Sequence, residues 1–111
     1  MSGVFLTLLA TVVNAQPFPY QQAGLPVSQR VDDLMKRMTL EEKIAQIRHL
    51  HSWDIFNEQT LDKEKLTAVV GETGYGFVEG FPLTGENCRS SMREIQEYML
   101  TRTRLGIPAF T

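Results

Sequence analysis

With 111 residues, 42% of them hydrophobic and 22% charged, the chain has the make-up of one small globular domain rather than a disordered segment. A formal net charge of -2 without a basic cluster offers nucleic acid no electrostatic footprint, so no nucleic-acid partner is expected. The single cysteine, Cys88, leaves no intrachain disulfide to form.

Val4–Val13 is an apolar run without a charge, of signal-peptide length and shorter than the roughly 20 residues that span a bilayer. Val13 and Ala15 are small residues at the -3 and -1 positions of a cleavage point before Gln16. Residues 1–15 therefore read as an export signal, which places the protein in the periplasm or outside the cell and gives it no membrane span. No Lys or Arg precedes Arg30, so the usual basic start is absent. The alternative is a buried N-terminal helix or strand.

Residues 16–26 (QPFPYQQAGLP) are rich in Pro and Gln and lack periodicity. They read as an extended lead segment laid across a larger body through Phe18 and Tyr20, or as a flexible linker. Val27, Val31, Leu34, Met35 and Met38 then mark one apolar helix face. Thr39-Leu40-Glu41-Glu42 is a capping box that starts a second helix: the Thr39 hydroxyl takes a free amide and Glu42 reaches back. Its expected apolar stripe is Leu40, Ile44, Ile47 and Leu50.

His49, His51, Trp53, Asp54 and Glu58 include metal-ligand types. Histidines at i and i+2 diverge on a helix and share one side of a strand, and no third ligand stands at a fixed spacing. Packing is therefore the expectation, with Trp53, Ile55 and Phe56 anchoring a loop. Residues 62–70 predict a short helix capped by Thr60 or Asp62, with Leu61, Leu66, Val69 and Val70 inward and Gly71 or Gly74 at its end. The glycines at 71, 74, 76 and 80 do not match a phosphate-binding spacing and read as turn and close-packing residues.

Residues 75–81 (YGFVEGF) predict a strand. Cys88, Met92, Ile95 and Met99, at spacings of 4, 3 and 4, predict a helix that starts near Glu86 or Asn87. On this face Cys88 is a small buried hydrophobe. Leu105-Gly106-Ile107-Pro108 stops the helix, with Gly106 at its left-handed end. Ala109 begins another strand, and strand, helix and strand make one βαβ unit. Glu94, Glu97, Arg102 and Arg104 read as solvated charges that complement the helix dipole. No Ser-His-Asp, Cys-His or paired-carboxylate set can be assembled, so no catalytic, substrate-binding or metal residue is assigned.

Three segments together resemble the N-terminal end of a glycoside hydrolase family 3 enzyme, of the exported bacterial β-glucosidase or β-xylosidase kind. They are residues 27–47 (VSQRVDDLMKRMTLEEKIAQI), 74–78 (GYGFV) and 103–110 (TRLGIPAF). The resemblance implies an α/β fold: N-terminal lead helices plus the first βαβ portion of a (β/α)8 TIM-type barrel, truncated and not closed, with residues 27–111 as the incomplete barrel domain. It implies a retaining hydrolase of β-linked glucosides or xylosides, acting through an aspartate nucleophile and a separate acid/base carboxyl, without a cofactor. The family's nucleophile, acid/base and first sugar-binding acid match no position of this chain. Glu79 and Glu86 fall near the carboxyl end of the first expected strand, where a rim or structural role is expected. The piece alone is expected to be unstable or molten and inactive on glycosides. The competing reading is a small exported non-enzymatic α/β binding or interaction module.

Overall fold

A computed structural model describes residues 17–80 and 85–111. The expected export signal lies outside these residues, as does Phe81 at the end of the expected strand. The described residues form a small mixed α/β structure of five helices and four short strands, and no sheet closes on itself. Two compact units divide it, up to Lys36 and from Arg37 onward.

In the first unit the lead segment is folded rather than merely extended. Pro19–Gln21 makes a turn of 3-10 helix whose Tyr20 is buried. Asp33 Oδ2 accepts from the Tyr20 N–H at 3.3 Å, and Arg30 Nε donates to the Tyr20 carbonyl at 3.0 Å. Both come from helix α1 (Val27–Arg37), which has the expected periodicity. Of its apolar stripe Val27, Val31 and Met35 are exposed and Leu34 is half-buried, while Met38, just beyond the end of the helix, is buried.

In the second unit the capping box forms as the sequence dictates. The Glu42 N–H donates to Thr39 Oγ1 at 3.2 Å, and the Thr39 N–H donates to Glu42 Oε2 at 2.8 Å. Helix α2 (Leu40–Gln46) follows. The stripe expected on it is corrected. Leu40, Ile44 and Ile47 are exposed, whereas Glu42 and Ala45 are buried. The helix stops at Gln46, so Leu50 belongs to the next element.

That element is a strand, where the expected stripe continued the helix to Leu50. β1 (His49–His51) leads into a helical turn, α3 (Ser52–Ile55), and a small antiparallel hairpin of β2 (Phe56–Asn57) and β3 (Thr60–Leu61). Helix α4 (Lys63–Val70) is capped by Asp62, whose Oδ1 accepts from the Glu64 and Lys65 amides, and it ends at Gly71 with φ 57°. Leu66 and Val70 face inward as expected, while Val69 is exposed. Then come β4 (Phe77–Glu79) and the long helix α5 (Glu86–Arg102).

β1 and β4 pair in parallel, with His49 opposite Phe77, Leu50 opposite Val78 and His51 opposite Glu79. On the other side of β4, Phe110 forms a parallel bridge with Phe77. The Val78 N–H donates to the Phe110 carbonyl and the Phe110 N–H to the Gly76 carbonyl, each at 2.8 Å. The predicted βαβ unit therefore exists, as β4, α5 and the Phe110 segment. It is not the start of the sheet, because β1 precedes it in chain order.

Alternation along the strands separates two faces. Leu50 and Val78 point into a cluster with Ile55, Phe56, Leu66, Val70, Tyr75, Ile95, Met99 and Ala109, all buried, and Cys88 is half-buried against it. Burying each large member contributes about 1.5–3 kcal/mol. His49, His51, Phe77 and Glu79 occupy the other face. Gly76 allows the close approach that seats β4: a Cβ there would stand 1.8 Å from the Gln46 carbonyl oxygen. Its N–H donates to the Ala45 carbonyl at 3.0 Å.

The end of α5 departs from the expected glycine stop. Thr103, with extended backbone, caps Arg102, and Gly106 with φ 60° lies beyond, where a Cβ would meet the Leu100 carbonyl oxygen at 2.9 Å. The glycine serves the turn after the helix rather than its cap. Ser91 lies buried within α5.

Candidate functional site

The polar side chains of the open sheet face converge at the carboxyl ends of β1 and β4, the end at which parallel α/β sheets place their ligands. Register puts Glu79 beside His51, and its carboxylate reaches both histidines. Oε2 lies 3.1 Å from His49 Nδ1, and Oε1 lies 3.1 Å from His51 Nδ1. The second contact lacks the alignment of a hydrogen bond, and His51 Nδ1 is a buried atom without an aligned partner. All three side chains are roughly half-exposed.

Aromatic rings frame this trio. His49 stacks on Phe77 at 4.9 Å between ring centres, and Phe77 stacks on Phe110 at 5.6 Å, so one row of rings crosses all three parallel segments. At the strand ends His51 stacks on Trp53 at 4.2 Å and 8°. Trp53 remains 67% exposed despite that cover. The buried Ser52 hydroxyl donates to the Gly80 carbonyl, and Gly80, with φ 75°, sits against the Trp53 ring edge. A Cβ at Gly80 would stand 3.5 Å from Trp53 Cζ3.

The sequence reading named His49, His51 and Trp53 but found no third group in fixed relation to the histidines. Glu79 is that group, brought in by a strand pairing across 28 positions. It does not make the trio a metal centre: among the described residues no group of three His, Cys, Asp or Glu side chains is arranged to hold a metal ion. Asp54 and Glu58 are exposed. Glu86 is also exposed, at the start of α5, and lies 3.9 Å from Arg89. The loop expected at Trp53, Ile55 and Phe56 is corrected to the helical turn α3 followed by strand β2, with Ile55 and Phe56 buried and Trp53 exposed.

Two other polar clusters are structural. Arg104, read as a solvated charge, donates from Nε and Nη2 to the two oxygens of Glu42 and from Nη2 to the Arg37 carbonyl. Glu42 is 5% exposed. The Arg104 hydrogen bonds hold its carboxyl below the usual range, against the opposing effect of burial, with help from the Thr39 amide. The Gln96 side chain clasps the backbone of Ala109 from both sides, donating to its carbonyl at 2.6 Å and accepting from its N–H at 3.0 Å. A groove of about 630 Å³ between α4 and α5 is crossed by the Lys63–Glu94 ion pair at 2.9 Å.

No family profile matches this chain. It is similar to a "Putative beta-xylosidase" of Formosa agariphila, 32% identical over 95 residues that take in 81% of this chain. The match occupies 13% of that protein, so the chain spans a small fraction of its relative's length. Among the described residues no helix is long and apolar enough to cross a membrane.

Proposed function

From a chain whose relative bears the name of a xylosidase, we propose that residues 27–111 are the opening portion of a glycoside hydrolase barrel of the family 3 type. The longer protein would hydrolyse β-linked xylosides or glucosides with retention, after export directed by residues 1–15. The observation that carries this reading is the parallel order β1, β4, Phe110. Helices lie between successive strands, one sheet face is packed and the other is open and lined with rings and polar groups. Repetition of that unit is how a (β/α)8 barrel grows, with the open face becoming the interior.

Retaining hydrolysis uses two carboxyl groups about 5 Å apart, one attacking the anomeric carbon while the other protonates the leaving oxygen. Glu79 faces two histidines and has no second carboxyl group in its trio, so we assign the reacting pair to the part of the longer protein beyond this chain. The test is to express the uninterrupted reading frame that carries these 111 codons and follow xyloside cleavage by proton NMR. The reading expects the β-anomer of the released sugar to appear first and then mutarotate. First appearance of the α-anomer refutes retention, and absence of cleavage by the folded product refutes the glycosidase reading.

A further inference from the structure

We propose that Leu40, Ile44 and Ile47 of α2 form an internal interface, covered in the longer protein by an aliphatic face of another segment of the same polypeptide. The interface rests on the glycosidase reading only for the existence of that longer polypeptide. Its physical grounds lie in α2 itself.

An amphipathic helix ordinarily buries its apolar stripe and turns its charges to water. Helix α2 is inverted. Leu40, Ile44 and the C-cap residue Ile47 follow at spacings of 4 and 3, which sets them on one side, and they are 68%, 47% and 75% exposed. Glu42 and Ala45, on the opposite side, are the buried residues. That buried side is tied to its own chain. The Ala45 carbonyl accepts from the Gly76 N–H at the amino end of β4, and Glu42 holds Arg104. The aliphatic side therefore turns away from the sheet. Single exposed aliphatic residues are ordinary, but three aligned on one short helix, opposite a buried carboxylate, mark a helix held between two bodies. This chain supplies one of them.

Area and length decide what the second body is. Three side chains of a seven-residue helix fall far short of the about 800 Å² that each partner buries in a stable complex, so a second copy gains too little from this face. A segment of the same polypeptide meets it at the high effective concentration that covalent linkage provides, and a small apolar face is then enough. The relative has ample chain to supply such a segment, since the match occupies 13% of it.

The test puts a thiol on the stripe. Ile44→Cys is made in the uninterrupted polypeptide and treated with N-ethylmaleimide. The modified fraction of the peptide carrying position 44 is read by mass spectrometry, which keeps Cys88 and any other thiol out of the signal. Position 44 should react at least about 100-fold more slowly than in the same protein unfolded in urea, because it is reached only when the interface opens. Glu64→Cys, at an exposed position of α4, should react within about tenfold of its rate in urea. Where Ile44→Cys gives no folded polypeptide, Leu40→Cys on the same stripe takes its place. Reaction at position 44 as fast as at position 64, protection that disappears on dilution, or equal protection in the 111-residue chain overturns the proposal. Fast reaction with xyloside hydrolysis intact removes the interface and leaves the glycosidase reading. Protection without hydrolysis removes the glycosidase reading and keeps the interface.

Discussion

Glu42 and Arg104 stand 62 positions apart in sequence and meet through two hydrogen bonds, 2.7 Å from Nε to Oε1 and 2.5 Å from Nη2 to Oε2. The pair joins the capping box that opens α2 to the turn that follows α5. Arg104 also reaches the Arg37 carbonyl, and its own N–H donates to the Glu72 carbonyl at 2.9 Å, so the side chain and backbone of one residue gather three separate turns. Arg104→Ala strands the buried Glu42 carboxylate. A wholly buried pair costs about 3–5 kcal/mol to break; with Arg104 half-exposed, about 2 kcal/mol is expected, read as a lower urea midpoint at neutral pH. Arg104→Lys should recover only part of that, since an ammonium cannot span both oxygens.

The same pair fixes a pH dependence. The folded-state pKa of Glu42 lies below its unfolded value near 4.5. Its contribution is therefore complete above that value and is lost as pH falls through the folded-state value. Stability measured between pH 7 and pH 3 should fall on the acid side in the parent chain. In Arg104→Ala that acid-side slope should be shallower, because the principal cause of the lowered pKa is gone. Equal slopes in the two proteins would contradict the assignment.

Gln96 should matter more than a half-buried glutamine on a helix ordinarily does. Gln96→Ala leaves both backbone polar groups of Ala109 without their partner, at a cost of about 1–3 kcal/mol. The specific readout is amide hydrogen exchange. Protection of the Phe110 N–H, which donates to the Gly76 carbonyl, should drop before that of α5 itself.

Gly76→Ala tests the seating of β4. The new methyl would overlap the Gln46 carbonyl, and neither is at the end of a flexible side chain, so β4 must move. A loss of about 3 kcal/mol or more is expected, together with broadening of the His49 and His51 signals in the NMR spectrum as their strand partner shifts. Ile95→Ala, by contrast, removes buried volume without displacing a strand. It should cost about 2–5 kcal/mol while leaving those signals in place.

Local signals in the sequence located most helices to within a residue or two. Thr39-x-x-Glu42 forms its box, Asp62 caps α4, and the periodicity of Ile95 and Met99 gives their burial. What escaped was set by pairing. His49-Leu50-His51 has too few residues for an alternation to register, and it becomes a strand because β4 supplies hydrogen bonds beside it. The site escaped for the same reason: Glu79 has no sequence relation to the histidines except through the register of two strands. Arg104 looked like a helix-end charge, and only the turn after Arg102 brings it to Glu42. The stripes of α1 and α2 mark real helices, but periodicity alone did not distinguish an apolar face that is covered in this chain from one that is open.

The central proposal is that this chain supplies one part of a glycosidase whose reacting carboxyl groups come from elsewhere in a longer polypeptide. The most direct measurement is 4-nitrophenyl β-D-xyloside hydrolysis by the uninterrupted polypeptide and by the 111-residue chain, assayed side by side. The proposal predicts turnover by the former and none above background by the latter. Turnover by the 111-residue chain alone, or a folded longer polypeptide that leaves both the xyloside and the corresponding glucoside intact, would contradict it.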